Sequence, residues 1–451
     1  MTMRPLLIVV LAAGMGTRMR SSRPKVLHAI AGRSMLAHAL ATARSAGASS
    51  LAVVVAPGME AVRVEAERVA PGIEVFEQAS QLGTGHAVLA ALPALKRHRG
   101  DVIVLFADTP LVEAATLRRL VTALDGGAQI AVLGFEAPDA TGYGRLVLDE
   151  QRRVQRISEH ADASEEERRI GLCNAGVTAF RVPDLAGLLA RIGNGNSKGE
   201  YYLTDAVAIA AGDGMTVLPV DCAPEEALGV NSRAQLATAE AVFQNRARCK
   251  VMDEGATLIA PETVWLSFDT VIGRDVIIEP NVFLGPGVVI EDGAQILANC
   301  HLVGARVGKG ARIGPFARFR PGADIGESAH VGNFVEVKNA RLETGAKANH
   351  LSYIGDGRVG EGSNIGAGTI FCNYDGFNKH FTDVGKGAFV GSNSSLVAPV
   401  KIGDGAYIGS GSVISKNVDA DALALERSTQ EQRPGWAAKF RAVMVKRKKA
   451  T

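Results

Sequence analysis

From residue 266 an aliphatic residue returns at every sixth position: Leu266, Ile272, Ile278, Leu284, Ile290, Ile296 and Leu302. After a slip of one the column resumes as Val307, Ile313, Phe319, Ile325, Val331 and Val337, and later as Val384, Val390, Leu396, Ile402, Ile408 and Ile414. Six positions along an α-helix rotate by about 600° and scatter such residues over its surface. Six is even, so on extended chain all of them face one side. A chain that turns a corner every hexad stacks them in one interior column, the pattern of a parallel β-helix. With coils about 4.8 Å apart, roughly eight to ten coils and a prism on the order of 40 Å long are expected.

Glycine divides the chain at the same place. Residues 255–420 hold 27 of the 51 glycines in 166 positions, while the other 285 positions hold 24, so two architectures are joined in one chain. The divisions expected are a first domain over 1–230, a linker helix over 231–251, a β-helix over 252–422 and a basic tail over 423–451. Ser232-x-x-Gln235 has the form of a capping box, and Leu236, Ala239, Phe243 and Ala247 follow at helical spacing.

Charge and cysteine usage narrow the setting. There are 49 Lys and Arg against 47 Asp and Glu, so no global field favours nucleic acid or membrane. Lys439, Arg441, Lys446, Arg447, Lys448 and Lys449 give the tail its basic excess, and a solvated, poorly ordered end is expected there rather than a nucleic-acid arm. No apolar run reaches 18 residues, so no membrane insertion is expected. The five cysteines form no C-x-x-C pair, which suggests neither a zinc site nor a disulfide framework and suits a reducing cytoplasm. Residues 1–13 have the outline of a signal peptide, but Gly14-Met-Gly-Thr-Arg18 follows at once. A buried first strand feeding an anion-binding loop explains both halves of that segment.

Apolar runs at residues 6–11, 51–56, 102–106, 130–135 and 177–180 alternate with helical patterns through residue 230. The alternation indicates an α/β domain with a mostly parallel sheet, whose ligands sit beyond the strand carboxyl ends. After the first run come Gly14 and Gly16, which let the backbone approach a phosphate, and Arg18 and Lys25, which add positive charge. The spacing is neither G-x-G-x-x-G, since residue 19 is Met, nor a P-loop. Asp108 at the end of the third run is placed to hold a hard cation, with the amide oxygen of Asn231 as a second ligand. Taken alone, Asp108 also reads as a helix cap and Gln78 as a surface residue.

Together with Gln78, the run 81–86, Gly142-Tyr-Gly-Arg145, Glu159-His160, Asn174 and the run 199–205, this loop resembles the signature of sugar-phosphate nucleotidyltransferases. The resemblance implies a Rossmann-like domain in which a sugar 1-phosphate oxygen attacks the α-phosphorus of a nucleoside triphosphate and pyrophosphate leaves. Magnesium on Asp108 and Asn231, with Arg18 and Lys25, would neutralise the moving charge.

In the second half, residues 338–353 and 371–383 break the hexad phase with His, Lys, Asn and Tyr, and are expected to be loops projecting from the scaffold, where sites are built. Adding Arg320-Pro-Gly-Ala323, the run 331–338, His350-Leu-Ser-Tyr353, the run 364–369 and Cys372-Asn-Tyr-Asp-Gly376, the chain from 6 to about 427 is similar to a bifunctional bacterial family. That family joins N-acetylglucosamine-1-phosphate uridylyltransferase to glucosamine-1-phosphate N-acetyltransferase. The resemblance implies a left-handed, three-sided, homotrimeric β-helix. It implies that glucosamine 1-phosphate is acetylated by acetyl-CoA, and that N-acetylglucosamine 1-phosphate then reacts with UTP.

By the same resemblance Leu11, Ala12, Ala13, Gly14, Lys25, Gln78, Gly83 and Thr84 bind the uridine nucleotide, and Gly144, Glu159 and Asn174 bind the acetylated sugar, with Phe106, Ala107, Asp108 and Asn231 in the same uridylyl site. His350 would be the base that takes a proton from the amine, as an imidazole with its usual pKa of about 6.5 can near neutrality. Arg320, Lys338, Tyr353, Asn364 and Lys379 would hold the amino-sugar phosphate, and Ala367, Asn373, Tyr374, Ser392, Ser410 and Arg427 would line the acetyl-CoA groove. The family often has Tyr-Gly-Asp where this chain has Phe106-Ala107-Asp108, Thr where it has Ala175, and Lys where it has Ala161. Two other readings stay open: a nucleotidyltransferase whose β-helix serves only assembly or regulation, and a catalytically silent scaffold. The polar stretches argue against the first, and the joint presence of Arg18, Lys25, Asp108, Asn231 and His350 against the second.

Overall fold

The structure, a computed structural model, describes residues 4–450. Two compact units divide at Cys249/Lys250.

The first unit is built on a nine-stranded sheet. In chain order its strands are β1 (Leu6–Leu11), β2 (Ser50–Val55), β3 (Glu74–Glu77), β4 (Asp101–Phe106), β5 (Ile130–Glu136), β6 (Arg145–Leu148), β7 (Val154–Ser158), β8 (Leu172–Phe180) and β9 (Val217–Asp221). The main order is β9-β5-β8-β4-β1-β2-β3, parallel except for β8, which runs antiparallel between β4 and β5. β6 and β7 form a hairpin on β8. The unbroken apolar run of β1 follows from burial on both faces. Leu6, Ile8 and Val10 face a core shared with the helices Met35–Ser45, Glu60–Val69 and Ala114–Asp125, whereas Leu7, Val9 and Leu11 face one shared with Thr84–Ala90, Leu185–Ala190 and Asp205–Gly212. The carboxyl ends of β1 and β4 lie side by side, Leu11 opposite Phe106.

A helix spans Arg233–Asp253. Its start shows the expected reciprocal cap in a shifted form: Gln235 N donates to Ser232 Oγ at 3.2 Å, and Gln235 Oε1 accepts from Asn231 N at 2.8 Å. The cap therefore also fixes the backbone of Asn231.

In the second unit short parallel strands stack on three faces. One face carries ten rungs, from Thr257–Leu258 to Leu423–Ala424. The column residues are buried throughout except Ile272, which is half-buried near the start. Residues 338–353, expected as a projecting loop, are instead regular coil. Glu336–Leu342, Lys347–His350 and Tyr353–Val359 are strands, with Lys338 opposite Gly355 and Ala340 opposite Gly357. This coil is one residue short, so the column passes from Val337 to Leu342, Ala348 and Ile354, all fully buried. Losing one residue at a corner shifts the phase of the sequence without interrupting the ladder.

The stretch 371–383 leaves the coil only in its middle, over 373–381, between the ladder strands Ile370–Cys372 and Thr382–Val384, so that successive rungs Asn364–Ile365 and Phe389–Val390 stand 25 residues apart. Asp375 organises this excursion, accepting from Phe377 N at 2.8 Å, Asn378 N at 2.6 Å and His380 Nε2 at 2.7 Å, and these bonds hold its carboxyl well below the usual range. The tail departs from expectation too, since Trp436–Ala450 is a helix. Its Ala, Lys, Arg and Met residues are strong helix formers, and its described side chains are exposed.

Candidate active sites

In the first unit the glycine loop is wrapped around Lys25. Gly16 has φ +63°, and a Cβ there would stand 2.5 Å from the Lys25 Cβ, so neither the backbone angle nor the space admits another residue. Lys25 is buried, and its ammonium is paired with Asp108 Oδ2 and donates to Asn231 Oδ1 at 3.0 Å. These two oxygens come from distant parts of the chain and are brought together by Val230 N donating to Asp108 O at 2.8 Å. A carboxylate and an amide oxygen converging on one point suit a hard divalent cation that takes its remaining ligands from water and phosphate. The residues present therefore fit the implied magnesium.

A cavity of about 300 Å³ beside this point is lined by Leu11, Ala12, Ala13, Gly14, Lys25, Gln78, Gly83, Thr84, Phe106 and Asp108. It brings together all eight residues expected at the uridine nucleotide, with Phe106 and Asp108, whereas the side chain of Ala107, also expected in the uridylyl site, lies in the core. Gln78 is buried and anchored through its nitrogen, which donates to Gly83 O at 3.0 Å and sits 3.1 Å from His86 Nδ1, leaving Oε1 as the acceptor. Gly83, at φ +113°, admits no side chain, because a Cβ would lie 2.6 Å from Tyr201 O. Gln81, whose Nε2 donates to Ala13 O at 2.7 Å, and Glu200 also line this cavity; they lie in the runs 81–86 and 199–205, where the residue pattern assigns them no individual role.

A second cavity, about 620 Å³, opens from the same point and is lined by Arg18, Asp108, Gly144, Glu159, Asn174 and Asn231, among others. Arg18 is exposed, in contrast to Lys25. Burial pushes the Glu159 carboxyl above its usual pKa, partly offset by Thr204 Oγ1 donating to it at 2.9 Å. Thr204 lies in the quoted run 199–205, but only the fold shows its partner.

In the second unit His350 and Asn333 occupy the same position on adjacent coils. His350 Nδ1 lies 2.8 Å from Asn333 Oδ1. An amide oxygen can only accept, so Nδ1 carries the proton and Nε2 keeps its lone pair. Gly332 precedes Asn333 because a Cβ there would lie 1.9 Å from Asn349 O.

Lys338, Tyr353 and Lys379 gather around Asp356, with Arg320 near the two lysines. The Lys338 and Lys379 ammonium groups lie against each other, and the neighbouring charge lowers the pKa of Lys338. Asp356 sits at φ +48° and is almost fully buried. It accepts from Asn339 Nδ2 at 2.7 Å and from Asn373 Nδ2, and faces Lys379 Nζ at 3.9 Å. Arg320 Nη1 is held by Glu336 Oε1 at 3.1 Å. Asn333 and Glu336 lie in the run 331–338 and Asn339 in the stretch 338–353 without a role given to them, and Asp356 lies outside both, because stacking of successive coils, not spacing, brings them into place.

Asn364 stands elsewhere, opposite Lys347 on the ladder that carries His350. Asn373 is buried with Asp356 and near the Tyr353 hydroxyl, while Tyr374 is exposed and donates to Gly376 O at 2.6 Å. Ala367, Ser392 and Ser410 form a row at one corner on successive coils: Asn393 N donates to Ala367 O at 2.7 Å, Gly411 N to Ser392 O at 2.8 Å, and Arg427 Nη1 to Ser410 O at 3.0 Å.

Two kinds of site on two folds define the class: a nucleotidyltransferase and acetyltransferase in one polypeptide. Residues 8–171 match the MobA-like NTP transferase domain, and residues 269–304 and 381–416 match the bacterial transferase hexapeptide, which makes the second unit a left-handed β-helix. The chain is 57% identical over 449 residues, covering all of both chains, to the bifunctional protein GlmU of Bradyrhizobium sp. (strain ORS 278). It is 58% identical to that of Parvibaculum lavamentivorans, over 98% of each chain, and 57% identical to that of Azorhizobium caulinodans. The chain belongs to the GlmU family of bifunctional proteins, which carries the uridylyl and acetyl transfers of UDP-N-acetylglucosamine synthesis.

Proposed function

We propose that the β-helix acetylates glucosamine 1-phosphate with acetyl-CoA and that the first unit then transfers UMP from UTP to the product, with magnesium at Asp108 and Asn231. The observation that carries this reading is the pairing of a preset base with an ammonium pair on one rigid scaffold: His350 held by Asn333, and Lys338 beside Lys379. His350 Nε2 takes a proton from the substrate ammonium, and the free amine attacks the thioester carbonyl. The C–N bond forms as the C–S bond breaks; of the two protons the nitrogen loses, the one taken by His350 passes to the departing thiolate and the other is released to solvent. Lys338, Lys379 and Arg320 bind the phosphate, which orients the amine. The corner row Ala367, Ser392 and Ser410 offers backbone groups over two coil steps, about 10 Å, to an extended coenzyme A arm.

In the first unit the sugar phosphate oxygen attacks the α-phosphorus, and the bond to the pyrophosphate oxygen breaks. Bound magnesium would supply charge neutralisation at the phosphates. Lys25 and Arg18 meet the charge that moves onto pyrophosphate, Glu159 and Asn174 hold the sugar, and Gln78 Oε1 accepts from the uracil N3–H. Cytosine has no hydrogen at that nitrogen, so the same acceptor disfavours it.

A homotrimer is part of this reading. Phe316, Phe334 and Leu351 sit at φ +57°, +56° and +51°, a conformation that costs bulky residues energy, and are 48%, 55% and 59% exposed beside Asn333 and His350. Apolar side chains presented at such cost next to a site fit cover by a second copy. No helix among the described residues is long and apolar enough to cross a membrane, and the five cysteines are free, which suits the cytoplasm. Pyrophosphate release from UTP with N-acetylglucosamine 1-phosphate, and coenzyme A release from acetyl-CoA with glucosamine 1-phosphate, test the two halves. Sedimentation tests the trimer.

A further inference from the structure

We propose that Lys25 is the resident counter-ion of the cation site, holding its oxygens until a metal–triphosphate complex displaces the ammonium onto the phosphates. The inference rests on reading Asp108 and Asn231 as the cation ligands. The Lys25 ammonium is paired with Asp108 Oδ2 and donates to Asn231 Oδ1 at 3.0 Å, so it occupies the point on which the two oxygens converge and where a metal ion would sit. A magnesium ion binds oxygen at about 2.1 Å, so the ion and the ammonium cannot share that point.

The root of the side chain cannot follow the ammonium out. Gly16 packs against the Lys25 Cβ, and the side chain is 8% exposed. Its free end faces the glycine loop, where a Cβ added at Gly14 would lie 3.9 Å from both Cε and Nζ. A displaced ammonium therefore moves toward Gly14, in the cavity assigned to the nucleotide. A metal arriving alone breaks the ion pair and leaves a buried ammonium unpaired. A metal arriving with a triphosphate supplies that ammonium with a new anion. Metal and nucleotide are thus coupled through Lys25, each raising the affinity for the other.

The test is Mn2+ binding to the full-length chain, read from the free Mn2+ signal in electron paramagnetic resonance, with and without UTP. Lys25→Met keeps the stem and removes the charge, and Lys25→Gln serves as a second variant should the first fold poorly. Without nucleotide both are expected to bind Mn2+ about tenfold more tightly than the parent, and UTP should tighten Mn2+ binding less in the variants than in the parent. A change below about threefold in the nucleotide-free chains overturns the inference. If Asp108→Asn placed on Lys25→Met leaves the tight Mn2+ binding intact, the cation site itself lies elsewhere, and the assignment of Asp108 falls first.

Discussion

Asn333 Oδ1 and His350 Nδ1, 2.8 Å apart on adjacent coils, set which nitrogen of the imidazole is free. Asn333→Ala should lower acetyl transfer by roughly tenfold to a hundredfold while uridylyl transfer is unchanged. Asn333→Asp places a carboxylate on Nδ1, which favours the imidazolium. The acid limb of the acetylation pH profile should then move to higher pH, because the base is free only above its raised pKa. Parallel pH–rate profiles of both half-reactions check this.

Asp356 gathers Asn339 from the preceding coil and Asn373 and Lys379 from the excursion above it. An asparagine in its place has one acceptor oxygen for two amide donors. Asp356→Asn is expected to cost about 2 kcal/mol of stability and to raise KM for glucosamine 1-phosphate by about tenfold, with a smaller effect on kcat. Denaturant unfolding and steady-state kinetics measure the two effects separately.

The hexad column made the β-helix legible because its period is even and a buried column has no substitute for aliphatic residues. The same rule misled at 338–353, where a coil shortened by one residue changes the phase exactly as an insertion would on paper. The glycine loop, Asp108 and Asn231 were legible as chemistry. The ammonium standing between those two oxygens was not, because residues 25, 108 and 231 meet only through the sheet order and the bond from Val230 N to Asp108 O. Asp356 was missed for a similar reason: its partners at 339, 373 and 379 lie one coil away or in the excursion above it.

Glu159 carries a stability cost that its binding role explains. Burial raises its pKa above the usual 4.5, so its ionised form is disfavoured in the fold. That penalty is complete above the folded-state pKa and disappears as pH falls through it toward 4.5. Glu159→Gln should therefore raise the melting temperature of the first unit by about 2 °C near neutral pH, with no gain at pH 4. Uridylyl transfer should lose affinity for the acetylated sugar. Thermal scans at the two pH values check the first statement and KM the second.

Gly83→Ala forces a Cβ against Tyr201 O and asks alanine to adopt φ +113°. The loop must shift, and with it the carbonyl that anchors Gln78. Uridylyl transfer should fall at least about tenfold and the first unit lose about 2 kcal/mol or more, while acetyl transfer stays at the parental rate.

The most direct measurement supplies glucosamine 1-phosphate, acetyl-CoA and UTP to the full-length parent, His350→Ala and Asp108→Ala chains and follows N-acetylglucosamine 1-phosphate and its UDP conjugate. The parent should form the conjugate. Asp108→Ala should accumulate the acetylated sugar phosphate. His350→Ala should form neither product, yet make the conjugate when the acetylated sugar phosphate is added. Acetylation by His350→Ala within a few-fold of the parent, or uridylyl transfer surviving in Asp108→Ala, would contradict one base and one cation site serving two separate reactions.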